Sequence, residues 1–373
     1  MRTRAVAFPY GERVVEAGES APAPDDEAAV RALAATLASA SFPLKRHVLS
    51  EADCDDFFAA LRAYPPHPWD HSRRHRVADL RLRFRHRPAP RLGFGVGDVP
   101  HVLRYSDDEY ARIDRLSDFF SEHVRMRARR VGARASPWEA WHGDDPAFRE
   151  AVVREAAARF RCVSPFALRE AMWWVRAWPE ATLFKPSLAL SVLRKLHARR
   201  VLDFSAGWGD RLLAALAHGA AAYVGVDPHT ALRECHAAMV RKFVGGGSAR
   251  TAVRTVYAPF EDARLDDEAP FDTVFTSPPY FDFERYSSSP TQSCARHPTL
   301  GGWVDGWLAP VLAKAWAHLA RGGHLALHVC DPRLVEPLFG IVDGLAGAAY
   351  VGALLCTGSS PKPRPTWVWV KRG

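Results

Sequence analysis

The sequence has little that points to metal, disulfide or membrane chemistry. Its six cysteines, at positions 54, 162, 235, 294, 330 and 356, form no Cys-x-x-Cys pair across 373 residues. They read neither as a zinc site nor as a disulfide framework. Buried free thiols in a reducing compartment fit better, which places the chain in the cytoplasm or nucleus and not outside the cell. No run of about 18 apolar residues is present, so no membrane-spanning helix and no membrane partner is expected. The first twenty residues lack the apolar core of a signal peptide. His71 and His75 stand at i, i+4, but no acidic residue or cysteine accompanies them, so no metal is expected. There is no internal repeat and no long low-complexity linker. Lysine is scarce too: seven lysines stand against 43 arginines. In an alanine-rich chain that ratio reflects a GC-rich genome, which weakens the net charge of +8 as a sign of a nucleic-acid partner. Residues 1–180 carry +3 and residues 181–373 carry +5, so no basic domain is set against a neutral one.

What is present is ordinary globular material, 48% hydrophobic and 25% charged, which excludes a wholly disordered or collagen-like chain. The length suggests two domains. A helical pattern covers 27–40, and a second helix starts at Ser50 as cap. Residues 76–87 alternate Leu80, Leu82 and Phe84 with Arg81, Arg83 and Arg85, the period of a strand with one apolar and one basic face. A helix capped by Ser106 and two more at 147–160 and 164–178 follow. From about residue 184 short apolar runs alternate with helical patterns, which argues βαβ units on a parallel sheet. The last two apolar runs are separated by too few residues for a helical crossover, so the final strand should run antiparallel. The expected division is a mostly helical, basic N-terminal domain over 1–165, with substrate recognition as its expected role, and an α/β domain over 166–373.

Four constellations in the second half carry chemistry. In VLDFSAGWGDRLLAAL a strand ends at Asp203, and Gly207 and Gly209 precede a helix whose N-terminus offers free amides to a ligand. In AAYVGVDPH a second strand ends at Asp227, 18 residues after Gly209, where an acid can accept from both hydroxyls of a ribose. APFEDARL places Glu261 and Asp262 after a third strand. FDTVFTSPPYFDFERY ends a fourth strand in Ser277-Pro278-Pro279-Tyr280. Ser277 follows Gly209 by only 68 residues, which leaves no room for an inserted recognition domain.

These motifs, in this order over residues 184–373, resemble the class I S-adenosylmethionine-dependent methyltransferases. The Ser-Pro-Pro-Tyr resembles the (Asp/Asn/Ser)-Pro-Pro-(Tyr/Phe) motif of those acting on exocyclic amino groups. The resemblance implies an α/β, Rossmann-like seven-stranded sheet, mostly parallel with one antiparallel strand. It implies S-adenosyl-L-methionine as cofactor: Asp203, Ser205, Gly207 and Gly209 at its methionine end, Asp227 at the ribose, Glu261 or Asp262 at the adenine, with Phe184 and Pro186 packing nearby. It implies catalytic roles for Ser277, Pro278, Pro279 and Tyr280. An adenine or cytosine amino group has its lone pair delocalised into the ring. Two acceptors, the Ser277 side chain and the Pro278 carbonyl, would bond its hydrogens and favour sp³ nitrogen in the transition state. Proline fixes φ and keeps that carbonyl aimed. Tyr280 would stack on a base flipped out of a duplex.

Ser277 stands where adenine-N6 enzymes more often have Asp or Asn, which leans slightly towards cytosine N4. The substrate expected is nucleic acid, DNA ahead of RNA. Arg285, Tyr286 and Gln292 on the polar loop after Tyr280, and the basic stretches 71–91 (with Arg81, Arg83 and Arg85) and 123–134, are the expected substrate contacts. The alternatives are methylation of RNA (guanine N2 or adenine N6), methylation of a protein glutamine, or a non-catalytic nucleic-acid-binding protein that keeps the fold. Oligomeric state is not encoded in any of these patterns.

Overall fold

A computed structural model describes residues 19–47, 49–64, 95–96, 99–104, 113–175, 177–268, 270–357 and 364–373. The expected strand over 76–87, with Arg81, Arg83 and Arg85, lies outside the described residues, as do His71, His75 and the Ser106 cap.

In the N-terminal half, strand β1 (Glu19–Ser20) precedes α1 (Glu27–Thr36). Helix α2 (Glu51–Ala63) starts on the expected Ser50, which forms a capping box with Asp53. Strands β2 (Gly95–Val96) and β3 (Val99–Arg104) follow. Within the described part of the long helix expected after Ser106 there is a 3₁₀ turn at Ile113–Arg115 and then α3 (Asp118–Arg125). Next come β4 (Arg129–Arg130), α4 (Pro137–His142), α5 (Ala147–Phe160), β5 (Cys162–Val163) and α6 (Pro165–Met172). Helix α6 is shorter than the 164–178 pattern predicts. It stops before Trp173 and Trp174, which are exposed and so bring no core burial to extend it.

In the second half, α7 (Pro186–Lys195) leads into β6 (Arg200–Asp203), α8 (Asp210–His218), β7 (Ala222–Val226), α9 (Arg233–Val240), β8 (Ala252–Val256) and β9 (Phe271–Thr276). Then come β10 (Glu284–Arg285), α10 (Ala309–Ala317), β11 (Leu319–His328), α11 (Pro332–Asp343), β12 (Ala348–Thr357) and β13 (Arg364–Lys371). The sheet order is β2-β3-β12-β13-β11-β9-β6-β7-β8. Strands β8, β7, β6, β9 and β11 run parallel. Strand β13 lies antiparallel between β11 and β12, as the short connection before it requires. Seven strands were expected. The seven are there, and β3 extends them by pairing parallel to β12, with β2 outside it.

Both faces of the sheet are covered, which is why its strands are near-continuous apolar runs. On one face α7 and α8 share a core with α2, Ile113, Leu116 and Phe120, and Phe58 stacks on Phe243 at 3.9 Å between ring centroids. On the other face α10 and α11 pack over Trp367 and Trp369. A separate core joins α1, α4, α5 and α6. No helix among the described residues is long and apolar enough to cross a membrane.

Candidate active site

Parallel strands deliver their C-terminal ends to one edge of the sheet, and a ligand crevice forms where the chain switches direction. Here that point is the ends of β6 and β9. A cavity of about 600 Å³ opens there, lined among others by Gly207, Asp227, Ser277, Tyr280 and His328.

The loop after β6 is pre-shaped. Gly209 has φ +94°, and a Cβ there would come within 2.5 Å of Met239 Sδ. Gly207, at φ +57°, donates its N–H to Asp227 Oδ2 at 2.9 Å, and its carbonyl accepts from His236 Nε2 at 2.8 Å. His236 is buried and its pKa is lowered by that burial, so the neutral ring donates from Nε2 and meets Tyr257 Oη at Nδ1, 3.0 Å away. Asp227 also accepts the His229 N–H at 2.9 Å, and burial pushes its carboxyl up. With only backbone donors on it, each oxygen keeps a lone pair for a ligand hydroxyl.

Asp203 does not line the cavity. It is wholly buried, accepting from Arg211 Nε at 2.8 Å, Tyr223 Oη at 2.9 Å, Thr276 Oγ1 at 2.7 Å and the Ser205 N–H at 3.3 Å. Ser205 does line the cavity, and its carbonyl also accepts from Arg211. Glu261 reaches the wall and is held by Trp307 Nε1 and Arg296 Nη1, each at 3.1 Å. Asp262 points outward to Arg296. Phe184 lines the cavity edge-on to His328, 5.0 Å between centroids, whereas Pro186 is buried at the first turn of α7 and lies off it.

At the end of β9 the hydroxyls of Ser277 and Tyr280 both donate to the carbonyl oxygen of His328, at 3.2 and 3.0 Å. Tyr280 Oη also accepts the Cys330 N–H at 3.2 Å. Pro278 and Pro279 line the cavity beside them. The Tyr280 ring is thereby held at its far end, and Ser277 Oγ keeps its lone pairs for another partner. Burial, with Arg364 and Arg211 adding to it, lowers the His328 imidazole to about 3, so it is neutral at ordinary pH.

Tyr286 and Gln292 from the following loop reach the cavity, but Arg285 is exposed and does not. Tyr286 meets Trp208 edge-on at 5.7 Å. Beside it, the Glu284 carboxylate accepts from the Thr182 N–H at 2.8 Å and hydroxyl at 2.9 Å.

The basic stretch 123–134 divides. Arg125 cannot face a phosphate: it is 1% exposed, donating to Asp118 at 2.8 Å from both Nε and Nη2 and to Glu180 at 2.9 Å. With Lys45, Arg169 and Glu122 it completes a buried set of three cations and three carboxylates. Arg127, Arg129 and Arg134 are exposed. Sequence reasoning did not find Trp208, Arg211, His236, Glu284 or His328. His328 alone left a local signal, since it ends an apolar run as Ser277 does.

The seven strands from β12 to β8, with β13 antiparallel between β11 and β12, form the Rossmann-like sheet of the α/β methyltransferase fold. No protein-family model and no curated protein matches the sequence. Among solved structures the chain is similar to TrmN from Thermus thermophilus, with 19% identity over 56% of this chain and 68% of that one, at a TM-score of 0.36. It is similar to an rRNA methylase from Streptococcus thermophilus, with 15% identity over 52% of this chain and all of that one, at 0.33. A third is the O-methyltransferase TomG from Streptomyces achromogenes, with 14% identity over 62% and 92%, also at 0.33. These likenesses are slight, and the fold assignment rests on the chain's own strand order.

Proposed function

We propose that the chain is an S-adenosyl-L-methionine-dependent methyltransferase acting on an exocyclic amino nitrogen of a nucleic-acid base, cytosine N4 or adenine N6, with DNA ahead of RNA. One observation carries the reading. The Ser277 hydroxyl and the Tyr280 hydroxyl share the His328 carbonyl at the end of β9, in a cavity that also contains Gly207 and Asp227.

The residues fit the cofactor. Asp227 offers free lone pairs to a ribose, and Glu261 stands on the wall beside the rings of Phe204, Phe260 and Trp307. When bound, the cofactor supplies an electrophilic methyl on a sulfonium sulfur. The chain's part is to hold the amino nitrogen. Ser277 Oγ, its own proton turned to His328, accepts one amino hydrogen, and the Pro278 carbonyl accepts the other. Tyr280 gives a flat wall against which a flipped base stacks. Neither Ser277 nor the neutral His328 is a strong base at neutral pH, so the released proton leaves to solvent. Residues 1–165 are proposed to contribute substrate recognition.

The test is methyl incorporation from labelled cofactor into DNA, RNA and protein, followed by nuclease digestion and nucleoside mass spectrometry. Tyr280→Ala and Pro278→Ala should each lose at least about 100-fold in kcat, the scale of a lost transition-state contact, while cofactor binding by calorimetry stays. Undiminished transfer in both variants would remove the pocket assignment. Label in protein or in RNA guanine would replace the substrate.

A further inference from the structure

The ladder between β4 and β10 has two unlike faces. In register, Glu284 lies opposite Arg130 and Arg285 lies opposite Arg129. Residues directly opposed in an antiparallel pair share a face, and successive pairs alternate. Arg130 and Glu284 form the inner pair. Both line the cavity, and their charges are matched, Arg130 Nε lying 3.7 Å from Glu284 Oε1.

The outer pair is two arginines, both exposed. Like charges directly across a ladder repel. One carboxylate, Glu139, meets Arg129 at 3.1 Å, with both side chains about half exposed, and among the described residues no carboxylate pairs with Arg285. The pair cannot relax by separating the strands. The Val131 N–H donates to the Phe283 carbonyl at 2.9 Å, and the Arg130 guanidinium lies over the Phe283 ring at 4.9 Å. Glu284 is tied down by Thr182. Arg127 and Arg134 add exposed positive charge nearby in the chain. Two guanidinium groups on a fixed ladder, with one carboxylate between them, keep a net positive charge that is matched by an anion with several acceptor oxygens.

The geometry points to a phosphate clamp: Arg129 and Arg285, on the outer face of the β4–β10 ladder, bind one backbone phosphate of the strand whose base enters the cavity on the inner face. This rests on the nucleic-acid reading above.

The experiment measures binding of a fluorescein-labelled single-stranded DNA 20-mer by the full chain, by anisotropy, between 50 and 300 mM salt. Losing one phosphate contact lowers the slope of log K against log salt by about 0.7, and costs roughly fourfold in affinity near 150 mM. The double variant Arg129→Ala, Arg285→Ala should show both. Arg285→Glu should weaken binding further while raising the thermal midpoint of the free protein, because it places opposite charges across the ladder. A merely structural arginine would move the two together. If the wild type binds and the double variant keeps its slope and affinity, the clamp is wrong and the nucleic-acid reading stands. If Arg285→Glu loses thermal stability along with binding, the pair is structural and the clamp is wrong. If the wild type binds no nucleic acid, both fall.

Discussion

Asp203 and Arg211 form a buried ion pair, Nε to Oδ2 at 2.8 Å, beneath the loop that carries Gly207 and Gly209. The acid ending the first strand therefore supports the loop from below. Burial alone would lower the Arg211 pKa, but the Asp203 carboxylate outweighs it and keeps the guanidinium charged. Removing one partner of such a pair leaves an uncompensated buried charge, so Asp203→Asn should cost about 3–5 kcal/mol. Urea unfolding checks this. The double variant Asp203→Asn, Arg211→Met should recover much of the loss. Unchanged stability in Asp203→Asn with weakened cofactor binding would instead make Asp203 a direct ligand.

Gly209→Ala should destabilise and distort together. The residue has φ +94°, and its Cβ would sit 2.5 Å from Met239 Sδ and 2.6 Å from Met239 Cε. The backbone strain alone is on the order of 1–3 kcal/mol. The flexible Met239 can give way in part, so Gly209→Ala combined with Met239→Ala should bind cofactor better than Gly209→Ala alone, as calorimetry would show.

The buried charge set should make the protein acid-sensitive in a defined window. Burial would raise the Glu180 carboxyl, but Arg169 and Arg125 outweigh it and hold it at about 2, against an ordinary 4.5. The pKa is depressed, so its stabilisation is present above about pH 4.5 and is lost as pH falls towards 2. Glu180→Gln should cost about 3 kcal/mol at pH 7, and the gap to the wild type should close on acidification, as thermal melts across pH 2–7 would show.

Asp210 should act with the opposite sign. It is buried beside Ser117 Oγ, 2.5 Å away, and burial raises its carboxyl to about 7. A raised acid favours the fold below its unfolded value of 3.8, and that advantage disappears as pH climbs through 7. Asp210→Asn should therefore be more stable than the wild type at pH 8, by up to about 4 kcal/mol, and no more stable near pH 4. Equal melting temperatures at both pH values would show that Asp210 stays ionised.

Much of the second half was legible because its signals are local. Apolar runs that end in Asp227 and Ser277 mark strand ends, and parallel strands bring their ends to one edge, so the motif loops had to meet. The antiparallel direction of β13 followed from a short connection. Ser50 capped α2 as its sequence requires. Legibility failed where a residue's role depends on what lies far along the chain. Asp203 takes Thr276 from 73 positions away, and Arg125 meets Glu180 from 55 away. In the linear pattern Asp203 reads as a cofactor contact and Arg125 as part of a basic surface, and both are buried in fact.

By itself the sequence determined most helices and strands of the second half and put Ser277–Tyr280 at a strand end, since periodicity, caps and breakers act within a few residues. Tertiary structure alone decided which acids face the cavity and which are spent on buried cations. It also decided that β2 and β3 extend the sheet, and that Arg285 stands against Arg129. Those outcomes depend on desolvation and on pairing between distant segments, and a charge shows neither until the chain has folded around it.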